Sequence, residues 1–296
     1  MAPRNRRLRR DFAGAPIDPA RAGDLEQLLR RHRITLQRRL GQNFLVDPAL
    51  RDAVVDASGA ALDDDVLEIG AGVGTLTVGL AARCRRVVAV EFDRALIPAL
   101  REVVSAHGNV EVVQADILRF DVAGAFPAGG ELVAGNIPYN LTGALIPKLL
   151  DSPPRPRRLS LVVQKEVAER WTASTAASLA TIAVQVFAEA RMLMTIPAST
   201  FTPRPRVDSA LVVLDVRAAP AVDVPDLGRF LRFVGAIFQF RRKQLGGTLA
   251  RVAGISSAQA ASRLEELGVD GARRPQTLTL PEWETIYRAF NPGLGR

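Results

Sequence analysis

Short apolar runs recur through the middle of the chain at 66–69, 87–90, 110–113, 132–134, 159–163 and 211–216, and the stretches between them are spaced as helices. Strands that alternate with helices predict an α/β fold, built on a mainly parallel sheet with its ligand site at the C-terminal strand ends. Ahead of these runs, Leu25, Leu28 and Leu29 mark a short helix. Asp47 followed by Pro48 is an N-cap with proline at the first helical position, and Gly59 stops that helix.

The pattern changes after 217. Residues 218–225, with Pro220 and Pro225, read as a linker. Beyond it Phe230, Phe233, Val234 and Ile237 share a helical face, Ser256 and Gln259 form a capping box whose helix Gly268 closes, and Thr279 with Glu282 opens a last helix. Pro281 stands near its start, and Trp283, Ile286, Tyr287 and Phe290 form its apolar face. These aromatic stripes are core positions. The expected organisation is a basic arm without packed structure over 1–17, an α/β domain with an N-terminal helical segment over 18–217, and a small all-helical domain over 218–296.

Charge sharpens this division. The net charge is +8 in 296 residues, but 1–39 carries +7, 40–203 carries −4 and 204–296 carries +5. A slightly acidic middle between basic ends suits a cofactor domain whose polyanionic substrate is held by its flanks. The lone Cys84 has no partner for an internal disulfide, and two histidines leave no basis for a metal cluster, so no metal is expected. No apolar run is long enough to span a bilayer, and the N-terminal arginines precede no secretory apolar stretch, so the chain reads as cytoplasmic and without a membrane partner.

The candidate chemistry sits at successive strand ends. Gly70-Ala71-Gly72-Val73-Gly74 follows the first run, where glycines let the backbone turn tightly and approach a nucleoside. Glu91 ends the next run 21 residues after Gly70, placed to accept from ribose hydroxyls, and Phe92 can pack on an adenine face. Asp116 ends the third, placed to accept from an adenine amino group. To this point a nicotinamide-dependent dehydrogenase fits equally well.

Asn136-Ile137-Pro138-Tyr139 at the fourth strand end points instead to methyl transfer onto an amino group of a planar base. A base must leave its stack to be reached, and Tyr139 offers a ring to hold it. The Asn136 side-chain oxygen and the Pro138 carbonyl both suit a nitrogen that becomes positive as a methyl group arrives. With a sulfonium donor the catalytic work is positioning and charge stabilisation, with no general base required. The expected activity is S-adenosylmethionine-dependent methylation of adenine N6 in RNA.

With those residues in place the chain resembles the KsgA family of ribosomal RNA adenine dimethyltransferases. The resemblance runs from about 18 to 290. It rests on Leu40-Gly41-Gln42-Asn43-Phe44-Leu45, on Glu68 to Thr77, on Val90-Glu91, Asp116 and Asn136 to Asn140, then on Gln164 to Ala168, Phe201 to Ser209 and Phe240 to Leu245. It implies a Rossmann-like S-adenosylmethionine methyltransferase domain with a small helical C-terminal domain, acting on two adjacent adenosines near the 3′ end of 16S-type rRNA during assembly of the small subunit. By the same resemblance Gln42, Asn43, Leu45, Gly70, Glu91, Asp116 and Asn136 contact the cofactor, to which the residue reading adds Gly72 and Phe92, and Asn136, Pro138, Tyr139 and Phe201 surround the target adenine. Arg204, Arg206, Arg241, Arg242 and Lys243 are candidate RNA contacts, and a monomer is expected.

Two positions depart from the family pattern. Ala71 replaces a usual proline, and 172–180 replaces a loop that usually carries Pro, Gly and Tyr-Gly, on what the resemblance makes the substrate side. Two other functions compete. One is a macrolide-resistance methyltransferase acting on 23S rRNA, separable by methylation of isolated 30S and 50S particles. The other is a non-catalytic assembly or transcription factor, against which the intact Asn136 to Tyr139 tetrad argues.

Overall fold

The computed structural model describes residues 17–37, 41–138, 141–150 and 153–290. Nearly all of the expected basic arm over 1–17 lies outside these residues, as do Tyr139 and Asn140.

The chain opens with α1 (Ala22–Arg31), the short β1 (Phe44–Leu45) and α2 (Pro48–Ser58). Asp47 caps α2 by accepting from the Leu50 N–H at 3.0 Å, and Gly59 ends it in the left-handed conformation at φ 68°. Then follow β2 (Asp65–Ile69), α3 (Thr75–Ala81), β3 (Arg86–Glu91), α4 (Ile97–Val103), β4 (Val110–Gln114), α5 (Val122–Ala125), β5 (Leu132–Asn136), α6 (Thr142–Leu150), β6 (Arg158–Gln164), α7 (Lys165–Thr172) and α8 (Leu179–Phe187). The chain continues through β7 (Ala188–Ile196), β8 (Phe201–Thr202) and β9 (Ser209–Val216), and finishes with α9 (Leu227–Phe238), α10 (Leu245–Ala253), α11 (Ser257–Glu266) and α12 (Leu280–Phe290).

Seven strands form one sheet in the order β4, β3, β2, β5, β6, β9, β7. The first five are mutually parallel, while β9 runs antiparallel to both β6 and β7. Successive β2, β3 and β4 march outward on one side and β5 starts the other, so the topological switch lies between β2 and β5. In such sheets the loops at a switch point diverge and leave a crevice at the strand C-termini.

Both faces are covered. Val66, Val87, Ala89 and Leu132 pack with Val54, Val55, Leu76, Leu80 and Leu100 of α2, α3 and α4, whereas Leu67, Ile69, Val88 and Val133 pack with Leu145, Ile146 and Leu149 of α6 and the helices beyond it. Alternation along β2 therefore turns Glu68 toward the same face as Val66.

All six expected strands are present. The strand β7, which follows α8 without an intervening loop, was not read from the sequence. It is the sheet edge, with most of its side chains partly or fully exposed, so the apolar alternation that marks the other strands is weak.

The segment 218–225 contains no helix or strand and is fastened to the end of α8. The Arg217 N–H donates to the Phe187 carbonyl at 2.7 Å and the Ala221 N–H to the Val186 carbonyl at 2.8 Å. Phe230, Val234, Ile237, Trp283, Ile286 and Tyr287 join the same apolar cluster as Val184 and Phe187, so the C-terminal helices are rooted on α8. Phe230 meets the Tyr287 ring edge-on at 5.4 Å. The Ser256 capping box is formed in both directions, and the Thr279 N–H donates to Glu282 Oε2 at 2.7 Å. Among the described residues no helix is long and apolar enough to cross a membrane.

Candidate active site

A cavity of about 280 Å³ opens at the switch point. Its walls come from the ends of β2, β3, β4 and β5, and from the segment leading through β1.

The glycine turn after β2 forms the floor. Gly70 donates to the Val90 carbonyl at 2.9 Å, which ties the turn to β3. At Gly72, with φ 61°, a β-carbon would stand 3.0 Å from the Phe44 ring, so the absent side chain is what lets β1 close over the turn.

Glu91 lies beside this turn, buried. Its Oε2 accepts from the Gly72 N–H at 2.8 Å and its Oε1 from the Asp93 N–H at 2.7 Å. Burial pushes the carboxyl above the usual carboxylate range, while these two N–H donors pull it back. Each oxygen keeps a lone pair for a hydroxyl donor. Phe92 lines the same cavity and is 61% exposed, an apolar ring standing at the wall with one face available. Asp116 also lines it. Its Oδ1 accepts from the Leu118 N–H at 3.0 Å, which leaves Oδ2 for a ligand, with Arg119 a loose 4.0 Å away.

The segment through β1 is held from three sides. Gln42 Nε2 donates to Asp93 Oδ2 at 2.6 Å and Gln42 Oε1 accepts from the Gln37 N–H at 2.7 Å. β1 itself pairs antiparallel with β8, Phe44 opposite Thr202 and Leu45 opposite Phe201. Asn136 then reaches across from the end of β5, its Nδ2 donating to the Asn43 carbonyl at 2.7 Å. A carbonyl can only accept, so Asn136 Oδ1 is the end left available.

The structure brings Gln42, Asn43, Leu45, Gly70, Gly72, Glu91, Phe92, Asp116, Asn136 and Pro138 to one cavity. Pro138 offers its carbonyl with one lone pair already engaged by the Leu141 N–H at 2.9 Å, which starts α6. Phe201, expected against the target base, is not among the residues lining this cavity; its side chain is 3% exposed and packs with Leu45, its partner in the β1–β8 pair, and with Ile196 and Leu211. Arg204, Arg206, Arg241, Arg242 and Lys243 are all exposed, and among the described residues none of the five forms an ion pair. The altered loop over 172–180 is fastened to the C-terminal part: the Ala176 N–H donates to the Leu278 carbonyl at 2.8 Å and Thr175 bridges Thr279.

Two cavity residues escaped the sequence reading of the site. Glu68 is buried to 1% exposure, and its Oε2 has no hydrogen-bond partner. Burial pushes its carboxyl up to about 8, with the Glu91 charge acting in the same direction. A weak contact from the nearby Thr77 hydroxyl offsets part of that. Thr75, at the start of α3, also presents a buried hydroxyl without a partner to the cavity. The visible signal was a charge inside an apolar parallel strand, a position normally buried on both faces. Buried polar atoms are normally paired, so this end of the cavity is built for a polar ligand with both donors and acceptors.

A nucleoside carrying a zwitterionic amino-acid tail matches the set. Its ribose and base would find carboxylates, its base face an aromatic ring, and its tail a buried acid and hydroxyl.

Comparison with known proteins agrees with this geometry. The family model described as ribosomal RNA adenine dimethylase matches residues 33–289. Ribosomal RNA small subunit methyltransferase A of Pelotomaculum thermopropionicum is 40% identical over 281 residues, covering 90% of this chain and 95% of the relative. The protein of the same name from Magnetococcus marinus is 39% identical over 275 residues, covering 91% and 97%. Among solved structures, the 23S rRNA methyltransferase ErmE superposes with a TM-score of 0.64 at 29% identity, over 84% of this chain and all of that one. A dimethyladenosine transferase from Plasmodium falciparum gives 0.65 at 24% identity, over 84% and 98%, a likeness of fold. A family match over most of the chain, with relatives this similar along nearly their whole length, makes this methyltransferase a member of the ribosomal RNA adenine dimethylase family.

Proposed function

We propose that the protein uses S-adenosylmethionine to dimethylate N6 of two adjacent adenosines near the 3′ end of 16S rRNA, in the small ribosomal subunit or its precursor. The observation that carries this reading is the orientation of Asn136, whose amide nitrogen is consumed by the Asn43 carbonyl so that its oxygen is free for an amino group.

When bound, the cofactor supplies a methyl group made electrophilic by its sulfonium. Glu91, braced by the Gly72 and Asp93 N–H groups, accepts from the ribose hydroxyls, Asp116 accepts from the adenine amino group, and Phe92 covers that ring. Gln42, Asn43 and Leu45 close the wall and exclude water. On the substrate side, Asn136 Oδ1 and the remaining lone pair of the Pro138 carbonyl accept from N6 as that nitrogen gains positive charge. Acceptors fixed before the reaction stabilise that charge without reorganising. Tyr139 holds the extruded base by stacking.

The C-terminal helices from α9 to α12 serve as the RNA-holding module, with Arg241, Arg242 and Lys243 on phosphates. Arg204 and Arg206 follow directly on β8, whose Thr202 pairs with the cavity-lining Phe44, and so guide RNA toward the cavity. The protein acts as a monomer in the cytoplasm, where ribosomes are assembled.

The curated relatives are named for the small subunit and ErmE for 23S rRNA, and substrate assignment follows the closer and longer likeness. Incubating the protein and labelled cofactor with separated 30S and 50S particles lacking the modification tests it. Label in 30S, recovered as N6,N6-dimethyladenosine, is the expected outcome. Label in 50S alone would assign the 23S reading instead.

A further inference from the structure

The cavity holds more acid than a cationic ligand needs for its ribose and base. Glu68 of β2 lines it with its carboxyl buried, Glu91 stands at the end of β3 with Asp93 just beyond, and Asp116 follows β4. The other groups around Glu68 carry no positive charge. Thr75 from α3, Asn136 from β5, and Gln42 and Asn43 from the segment before β1 line the cavity, while Thr77 and the buried Cys84 thiol, itself pushed up to about 11, chiefly by burial, lie near Glu68 outside the lining. Among the described residues, no lysine or arginine lines this cavity.

Glu68 and Glu91 differ in what supports a charge. Two backbone N–H groups donate to Glu91 and offset part of its burial, whereas Glu68 has an oxygen with no partner and lies in full burial. A carboxylate so placed costs more free energy than a neutral acid until a cation or donor arrives.

We infer that cofactor capture is proton-linked through Glu68: its side chain is a neutral acid in the free protein and releases its proton to solvent when the ligand's α-ammonium docks against it. This rests on the S-adenosylmethionine reading of the cavity. The ammonium supplies both the positive charge and the N–H donor that the buried Glu68 carboxyl lacks. One O–H bond breaks, the proton passes to buffer, and no other bond changes. Below the carboxyl's value of about 8 the free protein carries the proton, so binding must expel it and affinity weakens as pH falls. Above that value Glu68 has no proton to expel, and its contribution to the pH dependence ends.

Titration calorimetry in buffers of different ionisation enthalpy counts the protons directly. At pH 7 the wild-type protein is expected to release about one proton per S-adenosylmethionine, and affinity is expected to fall about tenfold per pH unit below about 8. S-adenosylhomocysteine keeps the ammonium and lacks the sulfonium, so it is expected to release the same number. 5′-Methylthioadenosine keeps the ribose and base but lacks the amino-acid tail, and is expected to release none. Glu68→Gln mimics the neutral acid in shape and is expected to abolish both the release and the pH dependence of affinity. Release with S-adenosylmethionine but not with S-adenosylhomocysteine would place the proton with the sulfonium, and equal release with 5′-methylthioadenosine would assign it to Glu91. Either result overturns the inference, as does tight binding with no release, and all three leave the methyltransferase reading standing. Failure of S-adenosylmethionine to bind at all would remove that reading and this one together. If Glu68→Gln does not fold, the three-ligand series on the wild-type protein decides the question alone.

Discussion

The Asn136 side chain and the Asn43 carbonyl are joined by a 2.7 Å hydrogen bond, 93 residues apart in sequence. This contact leaves Oδ1 as the open end of the Asn136 carboxamide, and on the proposed reading it makes the segment before β1 part of the reaction centre as well as a wall of the cavity. Closure of that segment in turn depends on Gln42 meeting Asp93, two residues past Glu91. Cofactor site and amino-group acceptor are thus mechanically linked.

Glu91→Ala is expected to weaken S-adenosylmethionine binding by about 2 kcal/mol, the usual scale for hydrogen bonds to a charged group. The Gly72 and Asp93 N–H groups would also lose their acceptor, so the glycine turn itself becomes less well held. Calorimetry on the folded variant checks this, and unchanged affinity would remove Glu91 from the ribose site.

Gly135→Ala tests how the strand end that carries Asn136 is built. A β-carbon at 135 would stand 2.4 Å from the Ile69 carbonyl oxygen, a backbone atom that cannot swing aside. Overpacking of this kind typically costs about 1–3 kcal/mol. Thermal unfolding should show the loss, accompanied by reduced activity as β5 shifts from β2. A variant as stable and active as the wild type would contradict the close approach.

Phe201 separates two roles with one pair of variants. As a core residue, Phe201→Ala should destabilise the protein by about 3–5 kcal/mol, while Phe201→Leu should cost less than about 1.5 kcal/mol and keep most of the activity. If Phe201→Leu stays folded but loses methylation more than tenfold, the ring meets the base after all.

Much of this was legible from residues alone. The strands announce themselves because parallel strands buried on both faces must be apolar throughout, and the caps at Asp47, Ser256 and Thr279 are local chemistry that needs no tertiary context. The cavity residues at the ends of β2 to β5 were visible because parallel topology fixes where consecutive strand ends converge. The packing of Phe201 against Leu45 could not be read, because it depends on pairing between segments far apart in the chain. The edge strand β7 was invisible for the opposite reason, since one open edge and exposed side chains remove the pattern. The Asn43 to Asn136 bond could not be read either, because nothing in a sequence says which way a carboxamide turns.

Neutralising Arg241, Arg242 and Lys243 together should lower RNA affinity and flatten its salt dependence. On duplex RNA-like geometry the slope should change by up to about 0.9 log unit per lost phosphate contact. An unchanged slope of affinity against salt would show that these exposed cations do not touch phosphate.

The positioning account is tested most directly by single-turnover methylation of unmodified 30S particles with Asn136→Ala, alongside calorimetric S-adenosylmethionine binding to the same variant. Its acceptor matters only as N6 becomes positive, so the loss should fall on the rate of methyl transfer, on the order of a hundredfold, with folding intact. A rate within a few-fold of wild type at saturating cofactor would contradict the claim that an oriented Asn136 oxygen drives the reaction.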